Sequence, residues 1–168
     1  YLAEGATLHA QKGIQVSTLY RGYPMNSNLT IDGPGTLIID GCDDGKSGIG
    51  AQSLGSITIN GGTINVKGGG GGAGIGNDAE PVSGGTITIN GGVVNAWGGS
   101  YAAGIGGGKG RMQLSGDSNL GRCGIINING GQVSAYGDDS AGIGPGFAYE
   151  GQYSGELNLQ STNSDDFV

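Results

Sequence analysis

The sequence predicts an all-β protein: a right-handed parallel β-helix of about five coils, with three short strands in each. Three observations carry this expectation. Gly supplies 41 of the 168 residues, about a quarter, against a usual share of roughly 7%. A short phrase of residues recurs along the chain at a spacing that marks stacked units. Within each copy, apolar and polar residues alternate with the period of a strand, and no stretch sustains the helical period of 3.6.

The phrase is Ile57-Thr58-Ile59-Asn60-Gly61-Gly62, repeated as Ile87-Thr88-Ile89-Asn90-Gly91-Gly92 and Ile126-Asn127-Ile128-Asn129-Gly130-Gly131. Leu29-Thr30-Ile31-Asp32-Gly33-Pro34 is a looser copy, and Leu157-Asn158-Leu159 opens a fifth. From Leu29 to Ile57 to Ile87 to Ile126 the steps are 28, 30 and 39 residues. A second apolar run follows each full copy, at Thr36–Ile39, Thr63–Val66, Val93–Ala96 and Gln132–Ala135. A Gly-rich corner and then Gly-Ile-Gly close the unit, at 48–50, 74–76, 104–106 and 142–144. Nearly all the variation in length falls after Gly-Ile-Gly.

So rich a Gly content would signal disorder in an aperiodic chain, and the repeat excludes that; the absence of Gly-X-Y spacing and the scarcity of Pro exclude collagen. Three strands per unit, joined by corners, wind into a coil that rises by about 4.8 Å. The right hand is expected from the preference that governs parallel crossovers. Alternation turns Ile57, Ile59, Ile64 and Val66, with their copies, toward the axis. Ile49, Ile75, Ile105 and Ile143 form a third inward column. Asp32, Asn60, Asn90 and Asn129 fall at one corner, where such residues are ordinary turn formers, and can hydrogen-bond as a structural ladder. The whole chain reads as a single β-helix domain. Residues 1–28 form the first coil or an N-terminal cap, 29–160 the repeats and 161–168 a frayed tail.

Parity also defines what faces out. The position after the second strand holds Asp40, Lys67, Trp97 and Tyr136 on successive coils. The only Trp of the chain and a Tyr therefore stand one above the other. Thr63, Val93 and Gln132 run beside them, then Asn65, Asn95 and Ser134. Tyr101, on the corner after Trp97, extends the strip. Exposed rings present a large apolar area, and sugar rings have apolar C–H faces that stack on such surfaces while amides, hydroxyls and charged groups bond their hydroxyls. A rigid strand platform orders the rings before binding and lowers its entropic cost. Trp97, Tyr136, Tyr101, Lys67, Asn95 and Gln132 are thus candidate carbohydrate contacts; the competing reading has the two rings merely covering a corner. The uneven loops after Gly-Ile-Gly leave one side of the stack, where binding often sits. They offer a second wall, with Phe147, Tyr149, Glu150 and Tyr153 in the last loop and Asp117 in the middle one.

The remaining signals are weak. The net charge of −7 argues against a nucleic-acid partner, and no apolar run has the length of a membrane span. The acid pairs Asp43-Asp44 and Asp138-Asp139 could hold Ca²⁺, but solvated turn acids are the simpler reading and no cofactor is expected. The Thr30, Thr58, Thr88 column is too narrow for an ice-binding face. Cys42 and Cys123 belong to different corners of distant coils and are expected to be free thiols. His9 is the single His, no Gly-x-Ser-x-Gly elbow is present and no His cluster suits Zn²⁺, so catalysis is not expected. A carboxylate pair at a glycosidase spacing is not readable from sequence. The chain opens at Tyr1 with no visible signal peptide, which suggests a mature or excised piece.

The stretch Ile-Thr-Ile-Asn-Gly-Gly-Thr-Ile-Asn-Val (57–66), with Ala-Gly-Ile-Gly (73–76), resembles the Gly-rich repeats of surface and secreted proteins of gut Firmicutes. It is most similar to right-handed β-helix carbohydrate-binding modules attached to gut bacterial xylanases. The resemblance covers residues 29–160. It implies a secreted or cell-surface, non-catalytic module that binds plant cell-wall polysaccharide, xylan or a related hemicellulose, and is linked covalently to a glycoside hydrolase. No ligand contact is carried over by motif. The alternatives are an adhesin-like stalk without a sugar ligand and a small polysaccharide lyase or hydrolase.

Overall fold

The computed structural model describes residues 1–16, 18–20, 23–40, 42–51, 55–79, 84–110, 122–147 and 155–160. Its elements are short strands punctuated by Gly corners. Five of them form the first sheet: β1 (Thr7–Ala10), β6 (Thr36–Ile39), β9 (Thr63–Lys67), β12 (Val93–Ser100) and β15 (Gln132–Asp138). The second sheet holds the shortest strands: β2 (Ile14–Gln15), β7 (Ile49–Gly50), β10 (Ile75–Gly76), β13 (Ile105–Gly106) and β16 (Ile143–Gly144). The third holds β5 (Asn28–Ile31), β8 (Ser56–Ile59), β11 (Thr86–Ile89), β14 (Gly124–Ile128) and β17 (Gly155–Leu159). Every pairing within these sheets is parallel. The chain visits the first, second and third sheets in turn, five times over, which is a parallel β-helix.

The first coil begins at Thr7, ahead of the recognisable repeat. β1 pairs with β6 and β2 with β7, so the N-terminal residues supply true rungs to two sheets. Between β2 and β5 the chain makes an antiparallel hairpin of β3 (Thr18–Tyr20) and β4 (Tyr23–Met25), which the repeat pattern does not foretell. Residues 1–6 turn over the corner at Asp32–Gly35: the Leu2 amide donates to the Asp32 carbonyl and the Leu2 carbonyl accepts from Gly35.

Register puts like on like. Ile57, Ile87 and Ile126 stand in one column, Ile64 and Val94 in another, and Ile49, Ile75, Ile105 and Ile143 in a third. These side chains close the narrow core, and most have no solvent contact. At both ends of the stack the same columns open. Leu8, aligned with buried Leu37, is 52% exposed; Leu157 and Leu159, aligned with Ile126 and Ile128, are 46% and 50% exposed. No described strand lies beyond them, so parity directs these residues inward without burying them. The Asn corner is a real ladder: Asn90 donates to Asn60 Oδ1 at 2.9 Å and Asn129 donates to Asn90 Oδ1 at 2.8 Å.

Coil spacing makes some glycines compulsory. Gly76 has φ +138°, and a Cβ there would run into the carbonyl of Gly106 on the next coil. Gly144 has φ +134° at the equivalent place on the fifth coil, yet a Cβ would meet only the Ala141 methyl, at 3.5 Å. Gly76→Ala is expected to cost more than about 1 kcal/mol of stability, from backbone strain and collision together. Gly144→Ala should cost clearly less, as measured by urea unfolding followed by circular dichroism. Equal losses would show that coil-to-coil approach adds nothing to the strain.

Cys42 is a half-buried free thiol, and Cys123 is buried in the core cluster. Burial pushes both thiols above the ordinary range, and the carboxylates of Asp43, Asp78 and Asp40 push Cys42 in the same direction. Fewer thiolates at a given pH mean slower alkylation. At pH 8 the native protein should react with iodoacetamide several-fold more slowly than the urea-unfolded chain. Equal rates would contradict the burial of these thiols.

Candidate functional site

The outer face of the first sheet is set by the same register as the core. Its columns are Thr36–Thr63–Val93–Gln132, Ile38–Asn65–Asn95–Ser134 and, at the rim, Lys67–Trp97–Tyr136. Asp40 begins the rim, where His9 Nε2 and Asp40 Oδ1 lie 2.8 Å apart. Trp97 and Tyr136 point outward, 38% and 53% exposed. Their ring centroids are 5.6 Å apart and their planes 10° from parallel. That separation is too large for full face-to-face overlap and describes an offset stack. Part of each ring remains open to solvent.

The polar neighbours are partly committed. Asn95 Nδ2 donates to Asn65 Oδ1 at 2.9 Å, a second amide ladder one column in from the rings. This bond fixes the Asn95 amide plane and leaves its Oδ1 without a partner among the described residues. Gln132 is exposed beside Val93, and Lys67 is exposed one rung before Trp97. The structure thus brings five of the six strip residues to one face.

Tyr101, the sixth, makes different contacts. Its ring packs on Phe147 at 5.4 Å between centroids with a 47° tilt, and Lys109 Nζ lies 4.7 Å from the ring centre. Backbone geometry explains the arrangement. Four residues before the Ile of each Gly-Ile-Gly, the coils place Gly45, Gly71, Tyr101 and Asp139 in succession, all left-handed, with φ of 77°, 84°, 64° and 51°. A loop residue from the following coil covers each of the first three. Ala79, Lys109 and Phe147 donate their amides to the carbonyls of Gly45, Gly71 and Tyr101, at 2.7, 2.7 and 2.9 Å. Tyr101 thus occupies a glycine position at a cost of about 1–2 kcal/mol. No described residue covers Asp139 in this way, and a cavity of about 270 Å³ opens there, lined by Asp139, Ser140, Ala141, Pro145, Gly146 and Phe147.

The loop bases are tied down by buried polar bonds. The Asp78 carboxylate accepts from the Ser47 amide at 2.8 Å, the Ser47 hydroxyl at 2.7 Å and Lys46 Nζ at 2.8 Å. Asn77 Nδ2 donates to the Arg122 carbonyl at 2.6 Å. Of the second wall inferred from sequence, Tyr149, Glu150, Tyr153 and Asp117 lie outside the described residues. Phe147 is placed, and Lys109, which parity and composition did not single out, joins it. Aligning the copies on Gly-Ile-Gly would have exposed the anomaly, because a Tyr stands where two earlier coils have Gly. Among the described residues no three His, Cys, Asp or Glu side chains converge as a metal site. Asp43, one of the acids considered for Ca²⁺, faces Lys12 at 3.4 Å.

Comparison with known proteins agrees with the architecture. A protein-family model described as a beta helix repeat matches residues 57–78, 87–109 and 126–147. Each matched segment opens within a third-sheet strand, crosses the next coil's first and second sheets and ends in the loop that covers the preceding corner. No curated protein and no solved structure matches the chain. Repeat and coordinates together establish a parallel β-helix of about five coils.

Proposed function

We propose that this β-helix is a non-catalytic module that binds plant cell-wall polysaccharide, xylan or a related hemicellulose, outside the cell or on its surface. The observation that carries the reading is the offset pair of Trp97 and Tyr136 on the outer face of an in-register parallel sheet. Two neighbouring rings on successive rungs suit a chain of repeating sugar units better than a single small molecule. Asn95, Gln132 and Lys67 flank the rings with acceptors and donors for sugar hydroxyls. The platform is ordered before the ligand arrives, which limits the entropy lost on binding. The covalent partner suggested by the resemblance, a glycoside hydrolase, would gain local concentration of its substrate from such a module.

A second reading, a stalk that binds no sugar, draws on the ladders. The Asn65–Asn95 bond and the mutual stacking of the rings give these groups partners within the protein itself.

Affinity electrophoresis in gels containing soluble xylan separates the two. The wild-type protein should be retarded, and Trp97→Ala should weaken binding by more than tenfold with an unchanged melting temperature. Equal retardation of both proteins would remove the strip from the site. Free migration of the wild type through a panel of soluble plant glycans would favour the stalk.

A further inference from the structure

Acidic residues outnumber basic ones by 14 to 7 in this chain, so an unpaired cation is out of character. Four lysines lie among the described residues. Lys12 faces Asp43 at 3.4 Å and Lys46 faces Asp78 at 2.8 Å. Lys67 and Lys109 have no carboxylate within reach among the described residues, and both stand beside aromatic rings: Lys67 pairs in register with Trp97, and Lys109 lies over Tyr101.

Lys109 is the better placed of the two. Its amide is held by the Gly71 carbonyl at 2.7 Å, and its Cβ and Cδ cover the open side of Gly71. The side chain is half-buried and its ammonium is brought to the ring of Tyr101. Tyr101 is itself kept in a left-handed conformation that the two preceding coils assign to Gly. Strained residues of this kind persist where the conformation serves a purpose. Here it sets a ring within reach of both the Lys109 ammonium and Phe147, on the corner four residues beyond Trp97. A charged donor beside two apolar rings matches one ligand chemistry well: a sugar ring that carries a carboxylate.

We propose that the Tyr101–Lys109–Phe147 corner is a subsite for a uronic acid on the glycan whose backbone lies along Trp97 and Tyr136. The inference rests on the polysaccharide-binding reading and narrows it to acidic, uronate-bearing chains. The Lys109 ammonium donates to the carboxylate, and Tyr101 and Phe147 cover the apolar side of the same sugar.

The test uses two polymers that differ in one group: a xylan bearing uronic acid branches, and the same xylan with its carboxyl groups reduced to primary alcohols. The wild-type protein should bind the acidic form at least fivefold more tightly, by calorimetry or affinity electrophoresis. Lys109→Met should erase that preference while leaving affinity for the reduced form unchanged, and Lys109→Arg should keep it. Equal wild-type affinity for the two polymers would overturn the subsite and leave the aromatic platform standing. An equal loss on both polymers in Lys109→Met would also overturn it. Failure of the wild type to bind either polymer would overturn both readings. The wild-type comparison depends on no variant and stands even if a substitution impairs folding.

Discussion

In-register parallel stacking governs everything else in this molecule. Once β9, β12 and β15 pair residue for residue, each position of one coil must sit above the same position of the next, one strand spacing away. Inside, this produces columns of Ile and Val that no single coil could bury alone. Outside, it produces columns of Asn that bond to each other and a column in which Trp97 meets Tyr136. The aromatic pair is a product of the same register that builds the core. A change that shifted one coil by a residue would turn the rings inward and the valines outward.

The stacking also shows what ties the candidate surface down. The first-sheet strands lengthen toward the C-terminal coils, from four residues in β1 to eight in β12, and the rings lie on this longer part. Corners are locked by loop amides that reach back to the preceding coil, and the loop bases by the buried Asp78 and Asn77 bonds. Under the proposed reading, a polysaccharide would meet a surface ordered before it arrives. The cost of that order is met in folding, largely by the apolar columns.

Much of this was legible in the sequence because period and parity are local properties. Copies of Ile-Thr-Ile-Asn-Gly-Gly located the third-sheet strands, and counting by two from them turned Ile64 and Val66 inward and Trp97 outward, as found. Other features depended on information that period does not hold. The first coil was not located at Thr7, because β1 and β2 lack the repeated phrase. The β3–β4 hairpin interrupts the solenoid where the phrase is also missing. Alternation places Tyr101 beside the strip but does not foretell its packing on Phe147 and Lys109, which follows from its left-handed corner conformation. Leu8, Leu157 and Leu159 occupy inward columns but stay exposed, since burial depends on a neighbouring rung and not on parity alone.

The central claim is that the outward ring pair meets the ligand, and the single indole of the chain can report on it directly. Xylan-derived oligosaccharides should be titrated while the emission of Trp97 and its quenching by acrylamide are followed. The account predicts a blue-shifted emission and reduced quenching that saturate together with binding measured by calorimetry. Calorimetric binding with no change at the indole would place the ligand elsewhere on the β-helix and contradict the account.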